Sequence, residues 1–292
     1  MNNSPDDFSP LGTTLPDSFR TPILLALLGH PVGHSLSPLM HSTALKHLHL
    51  EGRYEAWDVS DLSQAMVDLK RKGFRGASVT IPYKRDIMSF LDDIDEQARS
   101  IGAVNTLIRR GDGFVGANTD WEGLIRALRS VTSIRGRRFV VLGAGGTARA
   151  ALYGILGEGG GAVVVNRTEK RGRELADDFG CPSYPLTEID TLQGDVLINT
   201  TPVGMTPNTE VSPVPSAVLS RFSLVADVIY TPLRTRLLRE AERAGCTVLS
   251  GVEMFVEQGA AQFRLWTGLE PPVDLMRQVV RNQLEKAEKE QR

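Results

Sequence analysis

A glycine-rich turn is the first feature of the sequence with a recognisable chemistry. The segment FVVLGAGGTARAAL (139–152) predicts a strand, a tight turn over GAGG (143–146) and then a helix. Glycines in such a turn let a pyrophosphate approach the backbone, and the N-terminus of the helix attracts its negative charge. Ala148 stands where the usual pattern has its third glycine, and the pattern permits this replacement. We interpret the segment as a dinucleotide-binding site, with a purely structural turn as the alternative.

The residues after the next predicted strand indicate which dinucleotide is bound. An NAD site usually has an acidic residue at this point, about 20 residues on, to bind the ribose 2′-hydroxyl. Here the strand over 162–165 ends in Asn166 and Arg167, Arg171 follows, and no carboxylate precedes Glu169. Guanidinium groups suit a 2′-phosphate, so the pattern favours NADP, unless these are simply solvated surface cations.

The first half of the chain carries a second set of polar residues, close to the ends of predicted elements. They are Ser35 and Ser37 in the loop GHPVGHSLSP, Thr80 and Lys84 in SVTIPYK, Asn105 in GAVNTL and Asp120 in GANTDW. Each has an ordinary explanation when taken alone: the serines as turn formers, the lysine as a solvated residue, the aspartate as a helix cap. As a set they suggest a polar ligand site.

Two stretches of α/β pattern position these residues. The first has predicted strands at 23–28, 54–59 and 76–80, helices at 39–48, 62–72 and after Pro82, and a hairpin of 104–109 with 114–116. In the second, apolar runs at 139–143, 162–166, 195–201, 224–230 and 247–251 alternate with helices such as 147–156 and 170–179, which indicates a parallel sheet covered on both faces. A helix at 121–129 joins the two stretches, and helices at 253–266 and 274–289 follow. A cleft between two such modules is a common place for a ligand.

Composition excludes several classes of protein. The net charge is -2, from 33 basic and 35 acidic residues, so neither nucleic acid nor a membrane surface is expected as a partner. No apolar run reaches the roughly 18 residues of a membrane span. Residues 1–20 predict a disordered tail without the features of a secretory signal. Two isolated cysteines, Cys181 and Cys246, favour a reducing compartment, and we expect a cytoplasmic protein.

The five histidines all lie between residues 30 and 49, which raises the question of a metal. His30 and His34 flank Pro31 and Gly33 and are not expected to share a helix face, and no cysteine or carboxylate nearby completes a ligand set. We expect no metal site.

Taken together, these segments resemble the shikimate dehydrogenase family. The resemblance runs from about Ile23 to Gln283 and includes NRTEKR (166–171), NTTPVGM (199–205), DVIYTPLRT (227–235) and GVEMFVEQGAAQFRLWTG (251–268). It implies an α/β fold of two domains. Residues 21–119 with 252–292 would form the substrate domain and residues 120–251 a Rossmann domain that binds NADP, with the final helices returning to the first domain.

The resemblance also implies an activity: the reversible, NADPH-dependent reduction of 3-dehydroshikimate to shikimate, on the route to chorismate and the aromatic amino acids. Lys84 and Asp120 would be the catalytic pair, and the substrate pocket would contain Ser35, Ser37, Thr80, Asn105, Asp120, Tyr230 and Gln258. The NADP site would contain Gly143, Ala144, Gly145, Gly146, Thr147 and Ala148 at the pyrophosphate, Asn166, Arg167, Thr168 and Arg171 at the adenosine phosphate, and Val228, Gly251 and Met254 near the nicotinamide. We expect Lys84 to meet the charge that grows on the ketone oxygen, and the domains to close on the ligands. The protein would be a monomer or homodimer.

Three positions depart from the pattern of the family. Ser78 and Ser42 stand where the family usually has asparagine, and Gly259 stands where alanine is more usual. Ser78 lacks an amide donor, which puts one substrate contact, or a bond behind it, in doubt. The alternatives left open are a quinate or dual quinate/shikimate dehydrogenase using NAD, a non-catalytic NADP sensor on the same fold, and another two-domain enzyme such as a folate-interconverting dehydrogenase.

Overall fold

The structure, a computed structural model, describes residues 21–290. The tail predicted at residues 1–20 lies outside the described residues. The first sheet has the strand order β2-β1-β3-β5-β6-β4. Its strands are β1 (Ile23–Gly29), β2 (Gly52–Asp58), β3 (Gly76–Val79), β4 (Asp93–Ile94), β5 (Thr106–Arg110) and β6 (Gly113–Ala117). The helices in this part are α1 (Ser37–His47), α2 (Leu62–Arg71) and α3 (Glu96–Ile101).

Strand β1 is the centre of the first sheet, paired in parallel with β2 on one side and β3 on the other. Its sequence ILLALLG is buried except at one partly exposed position, as a strand covered on both faces requires. The predicted hairpin is confirmed: β5 and β6 are antiparallel, and β5 is also antiparallel to β3. The hairpin therefore brings the chain that follows β6 back beside the carboxyl end of β3.

The region after Pro82 differs from the prediction. The expected helix is only a short 3-10 helix at Asp86–Phe90, and β4 and α3 were not predicted. Helix α3 has six residues and depends on its ends: the Asp95 side chain accepts from the Ala98 N–H at its start, and Gly102 is left-handed at its end. So short a segment has too few turns to show an apolar periodicity.

The second sheet is entirely parallel, with the order β12-β11-β10-β7-β8-β9. Its strands are β7 (Arg138–Leu142), β8 (Gly161–Asn166), β9 (Ser183–Pro185), β10 (Val196–Asn199), β11 (Leu224–Asp227) and β12 (Thr247–Leu249). The helices are α4 (Asp120–Arg129), which leads into it, α5 (Gly146–Gly157), α6 (Glu169–Phe179) and α7 (Arg236–Arg243). This is the Rossmann order, and the chain reverses direction across the sheet between β7 and β10, where such sheets bind ligands.

The last two helices, α8 (Gly251–Thr267) and α9 (Val273–Glu290), return to the first sheet. Val252, Phe255 and Phe263 of α8 share a core with residues of β1, while Met254 joins the core that contains Leu124 of α4. Helix α8 thus lies between the two halves. The structure confirms an α/β fold with two sheets. No helix within residues 21–290 is both long and apolar enough to cross a membrane.

Candidate active site

A lysine and an aspartate meet between the two sheets. Lys84 Nζ lies 2.6 Å from Asp120 Oδ2, and the two side chains are only 14% and 6% exposed. Lys84 follows the turn after β3, where its carbonyl accepts from the Val104 N–H at 2.7 Å, and Asp120 is the first residue of α4. Screening by water is weak at such a buried pair, so the ammonium group is held firmly in place. The two side chains predicted from the resemblance are therefore brought together.

Asn105 holds the other oxygen of the carboxylate. Its Nδ2 donates to Asp120 Oδ1 at 2.8 Å, while its Oδ1 accepts from the Thr119 N–H at 2.8 Å. Gln258 of α8 contributes a longer contact, with its Oε1 3.4 Å from Asn105 Nδ2. Both oxygens of Asp120 are thus engaged, and four of the predicted residues form one polar centre.

The glycine-rich turn lies directly against this centre. Thr147 Oγ1 is 3.4 Å from Lys84 Nζ, and a Cβ atom on Gly146 would stand 3.1 Å from Lys84 Cβ. A larger residue at position 146 would push the turn away from the lysine. A dinucleotide held by this turn would therefore reach the Lys84 ammonium group.

The turn itself fits a pyrophosphate. Gly143 adopts φ +112, and a Cβ there would meet Thr200 Oγ1 at 2.7 Å, so a side chain would be strained at this position. A Cβ on Gly145 would point into open space, and among residues 21–290 no side chain caps the N-terminus of α5. The first amides of α5 are therefore available to a ligand. Ala148 is fully buried and packs the helix onto the sheet.

Two arginines beyond β8 are free to bind an anion. Within residues 21–290, Arg167 and Arg171 have no carboxylate partner, whereas Arg173 pairs with Glu169 at 2.5 Å. Asn166 ends β8, and its Nδ2 donates to the Thr168 carbonyl at 2.8 Å, which shapes the turn that carries Arg167. Exposed and unpaired guanidinium groups suit a phosphate that arrives from solvent.

The segment after β11 lies against the start of α8. A Cβ on Gly251 would stand 2.4 Å from the Val228 carbonyl oxygen, so only glycine allows this approach. Met254, one turn along α8, is 7% exposed. The three predicted nicotinamide residues are therefore neighbours, with Val228 and Met254 packed in the same core.

A third group of predicted residues lies near the carboxyl end of β1. Ser35 Oγ accepts from the Ser37 N–H at 3.2 Å. The Tyr230 ring stacks on Phe255 with centroids 4.2 Å apart, and burial raises the pKa of its phenol, an effect that the facing Ser35 hydroxyl opposes. Three hydroxyl groups here could anchor a carboxylate without a fixed positive charge. Thr80 lies beside Gly29 and makes no side-chain hydrogen bond within residues 21–290.

Sequence reasoning missed a buried carboxylate, Asp227, at the carboxyl end of β11 in the second sheet. Asp227 accepts from the Ile229 N–H at 3.0 Å, from Asn199 Nδ2 at 3.1 Å and from Thr235 Oγ1 at 2.7 Å. Burial raises its pKa to about 7. These three hydrogen bonds fix the loop that carries Val228 and Tyr230. A signal was present in the sequence, because Asn199 and Asp227 each end an apolar run, and neighbouring parallel strands bring such ends together.

The three departures from the family pattern have distinct surroundings. Ser42 is exposed on α1. A Cβ on Gly259 would stand 2.2 Å from Met40 Cε, so the glycine accommodates that methionine. Ser78 is 5% exposed and bonds to Tyr54 and Gln262, two residues that sequence reasoning also missed.

The histidines do not gather around a common point for a metal. His30 pairs with Asp58 at 2.5 Å on the surface. His41 is fully buried and stacks on Tyr54, and burial lowers its pKa to about 3. Within residues 21–290, no three His, Cys, Asp or Glu side chains are grouped so that they could hold a metal ion.

Comparison with known proteins gives consistent matches. The family model of the shikimate dehydrogenase substrate binding domain matches residues 27–107. The family model of the shikimate 5′-dehydrogenase C-terminal domain matches residues 251–281. A shikimate dehydrogenase (NADP(+)) from Shouchella clausii is 43% identical over 268 residues, which is 88% of this chain and 98% of the relative.

Solved structures of similar fold include members of the same family. Shikimate 5-dehydrogenase from Thermus thermophilus, in complex with NADP(H) and shikimate, is 39% identical with a TM-score of 0.83, covering 89% of this chain and 99% of that one. Quinate dehydrogenase from Corynebacterium glutamicum, in complex with NAD, is 30% identical with a TM-score of 0.80, covering 88% and 98%.

Proposed function

This chain belongs to the shikimate dehydrogenase family, and on that premise we propose that it catalyses the reversible, NADPH-dependent reduction of 3-dehydroshikimate to shikimate. It is an NADP-dependent oxidoreductase that acts on a CH–OH group. One observation carries the proposal: the Lys84–Asp120 pair, with Nζ and Oδ2 2.6 Å apart, lies beside the dinucleotide turn, where Thr147 Oγ1 is 3.4 Å from the same Nζ.

Lys84 acts on the ketone oxygen. When bound, NADPH supplies the hydride. Negative charge grows on the oxygen as the ketone is reduced, and the Lys84 ammonium group stabilises that charge and supplies a proton. Asp120 keeps Lys84 in place and accepts a hydrogen bond from a ring hydroxyl of the substrate. In the reverse direction, Lys84 takes the proton from the alcohol.

The remaining predicted residues orient the ring. Asn105 and Gln258 adjoin the polar centre and bind ring hydroxyls, while Ser35, Ser37 and Tyr230 bind the carboxylate of the substrate. Thr80 completes the pocket at the end of β3. This division places the carboxylate on one side of the pocket and the reacting carbon beside Lys84, so the substrate has one productive orientation.

The cofactor site favours NADP. The turn over 143–148 holds the pyrophosphate, Asn166, Arg167, Thr168 and Arg171 hold the adenosine phosphate, and Val228, Gly251 and Met254 lie against the nicotinamide. The absence of a carboxylate partner for Arg167 and Arg171 within the described residues supports this assignment. A carboxylate at that place would instead repel a 2′-phosphate.

The decisive assay compares two pairs of substrates by absorbance at the nicotinamide band. We expect rapid reduction of NADP+ with shikimate and little or no reduction of NAD+ with quinate. A preference for quinate and NAD+ would assign the chain to the quinate branch of the family. No turnover with either pair would contradict the proposal.

Replacing the lysine tests the chemistry. Lys84→Ala should lower kcat by about 10²- to 10⁴-fold, the usual contribution of a general acid, while shikimate still binds. Lys46→Ala is the matched control, because Lys46 is an exposed lysine on α1 without a carboxylate partner in residues 21–290. Near-normal turnover by Lys84→Ala would end the assignment of Lys84.

The division into domains is also a proposal. We assign residues 21–119 with 252–292 to the substrate domain and residues 120–251 to the NADP domain. The separate cores support this: α9 packs with β1, whereas α4 packs with β7 and α5. We further propose a cytoplasmic enzyme that is a monomer or homodimer, which cell fractionation and sedimentation would test.

A further inference from the structure

A continuous row of buried hydrogen bonds leads from Tyr54, on the edge strand β2 of the first sheet, to the catalytic pair. Tyr54 OH donates to Ser78 Oγ at 2.7 Å, and Ser78 Oγ donates to Gln262 Oε1 at 2.7 Å. Gln262 Nε2 donates to Thr106 Oγ1 at 3.1 Å, and Thr106 Oγ1 donates to Asn105 Oδ1 at 2.7 Å. The row then continues through Asn105 Nδ2 to Asp120 and Lys84.

Within residues 21–290, Tyr54, Ser78, Gln262 and Thr106 reach the catalytic pair only through Asn105, and Tyr54 also bonds to Ser37. Ser78, Thr106 and Gln262 are 5%, 0% and 1% exposed, and Tyr54 is 6% exposed. They belong to β3, β5, α8 and β2, so the row joins four elements. They can therefore affect the catalytic pair through the residue that they hold, Asn105.

Two backbone groups fix the direction of the row. Gln262 Nε2 also donates to the Asn105 carbonyl at 3.0 Å, and a carbonyl can only accept, so Gln262 Oε1 must face Ser78. The Thr119 N–H can only donate, and it lies 2.8 Å from Asn105 Oδ1, so Asn105 Nδ2 must face Asp120. Each hydroxyl in between accepts one hydrogen and donates one. Burial raises the pKa of Tyr54, which keeps its phenol protonated as the first donor.

We propose that Tyr54, Ser78, Gln262 and Thr106 form a relay of positioning residues that holds the Asn105 amide, and through it Asp120 and Lys84, in the orientation that catalysis needs. The proposal rests on the proposed function. It also gives Ser78 a role: its single hydroxyl accepts from Tyr54 and donates to Gln262, two bonds for which an asparagine would need both its Oδ1 and its Nδ2.

The test removes one hydroxyl from the relay and leaves the volume unchanged. Thr106→Val should lower kcat for shikimate oxidation by about three- to tenfold, the range for loss of one buried hydrogen bond, while the KM for NADP+ stays the same. Thr106→Ser, which keeps the hydroxyl, should restore most of kcat. Ser78→Ala interrupts the relay at another element and should have the same signature, so the test does not depend on how well Thr106→Val folds.

Thr267→Val is the matched control. Thr267 is a buried threonine on α8 whose Oγ1 donates to the Phe263 carbonyl at 2.7 Å and accepts from the Leu269 N–H at 3.1 Å, away from the site. It should lower the melting temperature about as much as Thr106→Val does, with kcat unchanged.

A double-mutant cycle separates positioning from general stability. If the relay acts through Asn105, Thr106→Val should have little further effect on kcat in an Asn105→Ala background. Multiplicative effects, or a kcat of Thr106→Val equal to that of Thr267→Val, would contradict the relay while leaving the proposed function intact. Failure of the unchanged enzyme to oxidise shikimate would contradict the proposed function instead.

Discussion

The substrate and cofactor sides of the site are built in different ways. On the substrate side, the side chains of Asn105, Asp120 and Lys84 are largely buried, and their polar atoms bond to one another. On the cofactor side, the binding groups are backbone amides beside Gly145 and the exposed guanidinium groups of Arg167 and Arg171. The first arrangement fixes geometry for a reaction; the second leaves groups free for a cofactor that must enter and leave. Loss of a group on the substrate side should therefore affect kcat, and loss on the cofactor side should affect KM.

Asp120→Asn should give the largest effect on kcat, and it tests the substrate side of the comparison. The variant keeps the shape of the side chain but removes the charge that faces the Lys84 ammonium group, so we expect kcat to fall by at least about a hundredfold. The KM for NADP+ should hardly change, because within residues 21–290 the Asp120 carboxylate bonds to Lys84 and Asn105 and not to the dinucleotide turn. Initial rates at varied NADP+ and shikimate measure both quantities. A large rise in KM for NADP+ with normal kcat would contradict the proposed difference between the two sides.

Arg167→Gln should show the opposite pattern. Loss of one charge-assisted contact to a phosphate corresponds to a rise in the KM for NADPH of roughly ten- to a hundredfold, with kcat near normal. Activity with NADH, which has no 2′-phosphate, should stay the same. Arg173→Gln, on the helix α6 that follows Arg167, is the control, because Arg173 already pairs with Glu169 at 2.5 Å. An equal loss with NADH would show that Arg167 has a different role.

Asp227 is an exception to this comparison, because its side chain is buried and hydrogen-bonded although it lies in the cofactor half. Its pKa is raised to about 7, so the folded protein holds this proton more tightly than the unfolded chain does. The stability it contributes is complete below about pH 4 and is lost as the pH rises through about 7. Asp227→Asn cannot titrate, so wild type should lose stability relative to this variant across that range.

Thermal melting at a series of pH values measures the effect. Asp190→Asn is the control, since it removes an exposed carboxylate from the same half and should melt in parallel with wild type. Parallel curves for Asp227→Asn and wild type would contradict the raised pKa of Asp227.

The regular parts of the molecule could be predicted from the pattern of residues alone. Near-continuous apolar runs such as FVVLG and AVVVN specified buried parallel strands, because only a strand covered on both faces buries every residue. The glycines at 143–146 predicted the tight turn, and the structure shows positive φ at Gly143. The resemblance of several segments in order identified the residues Lys84, Asp120 and Asn105.

Which buried side chains bond to one another became clear only from the folded protein. The relay joins Tyr54, Ser78, Thr106 and Gln262 across β2, β3, β5 and α8. Likewise, Asn199 and Thr235 both donate hydrogen bonds to Asp227. Hydrogen bonds between side chains depend on distances of a few tenths of an ångström, and residues far apart in the chain reach those distances only when the sheets and α8 have packed.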